Sequence, residues 1–119
     1  MVAELNLEQK RKDYQKSLET SLERIITQVR EIPEIIKVIS FGSYASGRRD
    51  LFTDLDLIVI METEKEFIRR TADLYQLLKS DVDLDLLVYT PEEFIKMKKG
   101  SFLRKALQDG QVIYEKKRT

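Results

Sequence analysis

The sequence predicts an α+β fold: a small mixed β-sheet of three to four strands, with helices packed mainly on one face. Three observations lead there. Apolar residues recur at spacings of three and four near the N-terminus, short β-branched runs bounded by Gly, Pro or Asp follow, and the two patterns then alternate along the chain. With 119 residues, the chain fits one compact domain over 1–119 and leaves no room for a second lobe of ordinary size.

From about Leu7 to Arg30, the positions Tyr14, Leu18, Leu22, Ile25, Ile26 and Val29 share one face of a long helix, which Pro33 ends. Ile35 to Phe41 is short and β-branched and predicts a buried strand. Ser43 is placed to N-cap a short helical turn running to Gly47, followed by a loop over Arg48 to Thr53. Asp54 to Met61 predicts a second strand. Thr63 and Glu66 have capping-box spacing ahead of a helix reaching about Lys79, with Ser80 and Asp81 closing it. Val82 to Tyr89 predicts a third strand. Thr90-Pro91-Glu92-Glu93 joins an N-cap, a proline at the first helical position and a capping-box glutamate. Gly100 breaks that helix, SFLRKALQD forms another, Gly110 fits a left-handed C-terminal position, and QVIYE supplies a fourth strand.

Composition narrows the chemistry. The chain is 42% hydrophobic and 35% charged, which excludes a disordered chain, and no apolar run approaches the ~20 residues that span a bilayer. The N-terminus carries no secretory-type apolar stretch, so the expected location is the cytoplasm. There is no cysteine and no histidine, so disulfides, thiolate and imidazole chemistry and Cys-based zinc sites are all absent. Catalysis is left to carboxylates, Lys, Arg, Tyr, Ser, Thr or a bound metal ion. Lys and Arg number 21 and balance 21 Asp and Glu, which disfavours a nucleic acid as the main partner.

The informative segment is GSYASG at 42–47 followed by TDLDLIV at 53–59. Residues two apart in a strand share a face, so Asp54 and Asp56 project side by side with Cα atoms ~7 Å apart. Two ionised carboxylates so placed repel each other unless a cation lies between them, which suits Mg2+. Upstream, Gly42 allows close backbone approach to a ligand, and Ser43 begins a helical turn whose N–H groups favour phosphate. Each half of this pattern has a commoner structural explanation, an exposed strand carboxylate or an ordinary turn, and their joint spacing carries the argument. A second acidic pair, Asp83 and Asp85, lies in the third strand, where Asp is disfavoured. Asp85 is preferred as the third carboxylate, with Asp83 in reserve. If the second and third strands are neighbours, one of this pair completes a three-carboxylate cluster, enough to hold two Mg2+ ions ~3.5–4 Å apart.

The GSYASG, TDLDLIV and DLLVYTP segments resemble the minimal nucleotidyltransferases of the DNA polymerase β superfamily, over about Leu18 to Glu115. Gly42, Ser43, Gly47, Asp54 and Asp56 match that pattern directly, and Thr53 stands where many relatives carry Ser. The resemblance implies the nucleotidyltransferase fold and transfer of a nucleoside monophosphate, AMP from ATP, to an acceptor hydroxyl with Mg2+. It implies metal ligation by Asp54, Asp56 and Asp85 and phosphate binding by Gly42 and Ser43, joined by Arg48 or Arg49. Small members of the family resemble antitoxins paired with a HEPN-domain ribonuclease, on which they adenylylate a tyrosine. That implies a protein partner here. The alternative is an antitoxin-type module that masks the ribonuclease without catalysis, and self-association is open under either reading.

Overall fold

The computed structural model describes residues 2–117. The first helix, α1 (Val2–Arg30), is followed by β1 (Ile35–Phe41), a four-residue α2 (Gly42–Ala45), β2 (Leu55–Met61) and α3 (Phe67–Leu77). The chain continues through β3 (Leu84–Tyr89), α4 (Pro91–Met97), α5 (Ser101–Asp109) and β4 (Gln111–Glu115). The four strands form one mixed sheet in the order β3-β2-β1-β4. β1 runs antiparallel to β2 and β4, whereas β2 and β3 are parallel and joined through α3. Among the described residues no helix is long and apolar enough to cross a membrane.

The period of two along the strands splits the apolar residues between the sheet's two faces. Leu55, Leu57, Val59 and Met61 of β2 join Leu86 and Val88 of β3 in a core with Leu18, Ile25 and Val29 of α1 and Leu74 of α3. Ile58, Ile60, Ile39 and Tyr89 turn the other way and meet Leu103 of α5, with Phe94 of α4 against them. The two longest helices therefore share one face, as the sequence predicts, but the other face is only partly open. α4 and α5 cover it because the even-numbered positions of β2 are as apolar as the odd ones beyond Asp56.

Polar contacts fix how α1 lies on its layer. Gln28 donates to the Leu77 carbonyl at 2.9 Å and accepts from the Lys79 amide at 2.9 Å, and the buried Ser21 hydroxyl accepts from the Asp81 amide at 3.0 Å. The capping box at α4 forms as the sequence predicts: Thr90 accepts from the Glu93 amide, and Glu93 accepts from the Thr90 amide. Glu93 has a second partner that the sequence does not reveal. The Arg70 guanidinium, only 6% exposed, donates to both Glu93 carboxylate oxygens and to the Val88 carbonyl, tying α3, β3 and α4 together.

The Arg70 hydrogen bonds and the Thr90 amide draw the Glu93 pKa down to about 2. A depressed carboxylate stabilises the fold above its unfolded pKa, near 4.5, and that contribution is lost as pH falls toward 2. Because the Glu93 side chain is 42% exposed, solvent screening reduces the effect. Glu93→Gln is therefore expected to cost about 1 kcal/mol at pH 7 and to flatten the acid limb of a urea-denaturation stability profile.

Three local expectations are corrected. Ser43 does not cap α2: the N-cap is Phe41, without a side-chain bond, and the Ser43 hydroxyl instead accepts from the Asp54 amide at 3.4 Å. Thr63 and Glu66 do not form a capping box, because Thr63 accepts from the Lys65 amide while Arg70 binds the Lys65 carbonyl, and the helix starts later, at Phe67. Gly110 is extended, with φ −81°, rather than left-handed. Glycine fits there because a Cβ would lie 2.8 Å from the Ala106 carbonyl oxygen and 3.1 Å from Ile39 Cγ2.

Candidate active site

The end of β1 and the starts of β2 and β3 meet at one edge of the sheet, on the face that carries α5. There, β2 Asp56 pairs in register with Asp85 of β3 on one side and with Phe41 of β1 on the other. Neighbouring strands lie ~4.8 Å apart, so residues in register project side by side from the same face and the two carboxylates are neighbours. Asp83 lies ahead of β3, where its carbonyl accepts from the Leu55 amide at 3.0 Å. Asp54, half-buried, precedes β2 with its amide on Ser43.

Burial pushes the Asp56 pKa up to about 6, helped by hydrogen bonding to Asp85 and by the negative charges of Asp85 and Asp54. A proton held between Asp56 and Asp85 is the simplest relief of that repulsion, and a divalent cation is the other. Among the described residues no three carboxylates are drawn close enough to enclose a metal ion. The donor set nonetheless suits Mg2+: hard carboxylate oxygens, one pair already adjacent and crowded with charge.

The sign of the Asp56 shift makes a prediction about the metal-free chain. A carboxyl whose folded pKa is raised stabilises the fold below its unfolded pKa, and this contribution is lost as pH rises through about 6. Asp56→Asn keeps the shape without the charge. In the presence of EDTA it is expected to raise stability at pH 8 by about 1–2 kcal/mol, with little gain at pH 4. Thermal melts at the two pH values check this.

Gly42 is bound to this pair by geometry. Its φ is +75°, a region that L side chains rarely adopt, and a Cβ there would collide with the Asp56 carboxylate, whose Cγ would lie 3.1 Å away. The turn that follows is closed by the Arg48 amide donating to the Ser43 carbonyl at 3.0 Å and the Gly47 amide to the Tyr44 carbonyl at 3.0 Å. A Cβ on Gly47, at φ +98°, would meet nothing within 4 Å, so backbone conformation alone selects glycine there.

The loop between the two motifs is built by side chains whose role the sequence does not announce. The fully buried Thr53 hydroxyl accepts from the Asp50 amide at 3.0 Å, and the Tyr14 hydroxyl donates to the Thr53 carbonyl at 2.7 Å. Burial and the nearby charges of Asp54, Asp83 and Asp50 raise the Tyr14 pKa. This tyrosine, 39 residues away in sequence, thus anchors the backbone next to Asp54. Arg48 pairs with Asp50 at 2.6 Å, and Arg49 stacks on the Tyr44 ring at 3.5 Å while donating to the Tyr44 carbonyl. Phosphate binding by Arg48 therefore requires it to exchange Asp50 for the ligand.

A glycine turn set against paired strand carboxylates at one end of a mixed sheet is chemically suited to a phosphate and a hard cation side by side. The family model "Polymerase beta, Nucleotidyltransferase" matches residues 23–119, and the chain belongs to that family and is an enzyme of that type. It is 34% identical over 82 residues to a Methanocaldococcus jannaschii chain provisionally named a protein adenylyltransferase, an alignment covering 67% of this chain and 79% of that one. A Sulfolobus solfataricus crystal structure, provisionally named a nucleotidyltransferase, superimposes with TM-score 0.56 at 15% identity, over 91% of this chain and 86% of that one. A chain of a toxin–antitoxin crystal structure with AMP-PNP gives TM-score 0.53 at 22% identity, over 81% of this chain and 74% of that one. A chain of a mutant of the toxin–antitoxin pair MntA-HpeT gives 0.52 at 24%, over 80% and 72%. At these identities the structural likenesses speak for the fold.

Proposed function

We propose that the chain, as one nucleotidyltransferase domain, moves AMP from ATP onto a tyrosine hydroxyl of a HEPN-type partner protein, with Mg2+ held by Asp54, Asp56 and Asp85. The observation that carries the reading is the register pairing of Asp56 with Asp85 directly beside Gly42. The relative named as a protein adenylyltransferase supports a protein acceptor, and the toxin–antitoxin and AMP-PNP neighbours support a partner chain and an adenine nucleotide.

When bound, Mg2+ supplies positive charge that neutralises the triphosphate and the charge developing during displacement. The remaining work belongs to the chain. Ser43 and the backbone N–H groups after Gly42 hold the β- and γ-phosphates, since the first turn of a helix leaves its amides without intrahelical partners. The acceptor oxygen bonds to the α-phosphorus, the bond from that phosphorus to the pyrophosphate oxygen breaks, and pyrophosphate leaves with the electron pair. Asp85, exposed where Asp56 is half-buried, takes the hydroxyl proton.

Co-expression with the product of the adjacent reading frame, followed by intact-mass spectrometry, tests this. The expected result is a partner heavier by one AMP per modified site, absent when Asp54 and Asp56 are both replaced by alanine. A tight complex that survives that replacement and contains no modified partner would instead mark a module that acts by masking alone.

A further inference from the structure

The sheet edge carries a second feature that the carboxylates and the glycine turn do not use. Phe41 and Gly42 face Phe102, Lys105 and Asp109 of α5 across an open cavity of about 280 Å³. Phe41 is the register partner of Asp56, so this cavity begins one strand away from the acidic pair and shares Gly42 with it. Phe102, Lys105, Ala106 and Asp109 follow the i, i+3, i+4, i+7 spacing of a single helix face, so α5 presents one stripe to the cavity. The two phenylalanine rings meet edge to face, with centroids 6.1 Å apart and an interplanar angle of 88°. Phe102 is nevertheless 58% exposed, although it stands beside a fully buried apolar neighbour, Leu103, so much of it stays open to a ligand.

We infer that this cavity receives the nucleoside half of the triphosphate, with the base stacked on Phe102. The inference rests on the nucleotidyl-transfer reading and adds where the base lies and what selects it. The volume is just below the ~300 Å³ that begins the range of small-molecule sites, enough for a planar base with its sugar and too small for the whole triphosphate. Division of the ligand follows: phosphates at the Gly42 turn and Asp56, base at Phe102. Lys105, about one turn along α5 from Phe102, lies where its ammonium reaches sugar or phosphate oxygens. Stacking reads the area of a π-face more than its hydrogen-bonding edge. The site therefore discriminates purine from pyrimidine nucleotides more than adenine from guanine.

Calorimetric titration of the full chain with Mg2+ and either ATP or inorganic tripolyphosphate separates the two halves. Phe102→Ala is expected to weaken ATP about tenfold or more and to leave tripolyphosphate unchanged, with Phe102→Trp restoring ATP binding. Wild type is expected to bind ATP and GTP alike and CTP or UTP more weakly. Phe102 is exposed, so a thermal melt of the alanine variant is expected to match wild type. ATP affinity unchanged in Phe102→Ala, or an equal loss for tripolyphosphate, overturns the stacking role while leaving nucleotidyl transfer standing. A folded wild-type chain that binds neither ligand overturns both.

Discussion

Replacing Asp54 and Asp56 together with alanine is expected to abolish Mg2+-dependent ATP affinity and to lower nucleotidyl transfer by on the order of 10³-fold or more. The reason lies in the charge already stored at the start of β2. Asp56 is half-buried, beside Asp85 in register, and its pKa is raised to about 6 by burial first and Asp85 second. A cation would relieve that unfavourable concentration of negative charge, so on the proposed reading removing it removes the driving force for holding the metal–triphosphate unit. Because repulsion is lost along with the ligands, the variant is expected to remain folded, and circular dichroism with a thermal melt checks this. A double variant that retains wild-type metal-dependent affinity in calorimetry sinks the assignment.

Gly42→Ala is the second large effect, and it couples stability to chemistry. The methyl group is refused twice: φ is +75°, which costs an L residue roughly 1–2 kcal/mol, and the Cβ enters the space of the Asp56 carboxylate. Together these are expected to destabilise the chain by about 2–3 kcal/mol, read from urea denaturation. Displacing Asp56 by even about 1 Å is expected to cost on the order of 10² in rate, beyond any loss of folded protein. Gly47→Ala provides the contrast. It carries the same kind of backbone strain, at φ +98°, with open space around the Cβ, so it is expected to lose stability without a comparable loss of rate per folded molecule. Equal rate losses in the two variants would mean that Gly42 serves the turn alone.

The local rules were legible in the sequence wherever the cause is local. The start of α4 is the clearest case, since Thr90, Pro91 and Glu93 satisfy one another's backbone groups within four residues. The strands were legible because the apolar runs bounded by Pro33, Gly42 and Asp83 are too short for a buried helix and, in the first two, rich in β-branched residues. The acidic pattern was legible because Asp54, Asp56 and Asp85 break apolar runs that would otherwise be continuous. Where a side chain had a choice of partners, sequence spacing misled. Ser43 and Thr63 have the chemistry of caps, yet each found a different amide, because the neighbouring Asp54 and Lys65 amides were brought to them by the fold.

Local spacing along the chain dictates the alternation of helix and strand and supplies residue types suited to phosphate and a hard cation. Long-range packing selects which of those residues meet. The parallel register of β2 and β3 sets Asp56 against Asp85 rather than Asp83, and packing of α5 on the sheet brings Phe102 beside Gly42, far earlier in the chain. It also hid Arg70 under Glu93 and hung the loop before Asp54 on Tyr14. These are long-range choices, set by which apolar faces bury each other, and spacing along a single strand or helix carries no record of them.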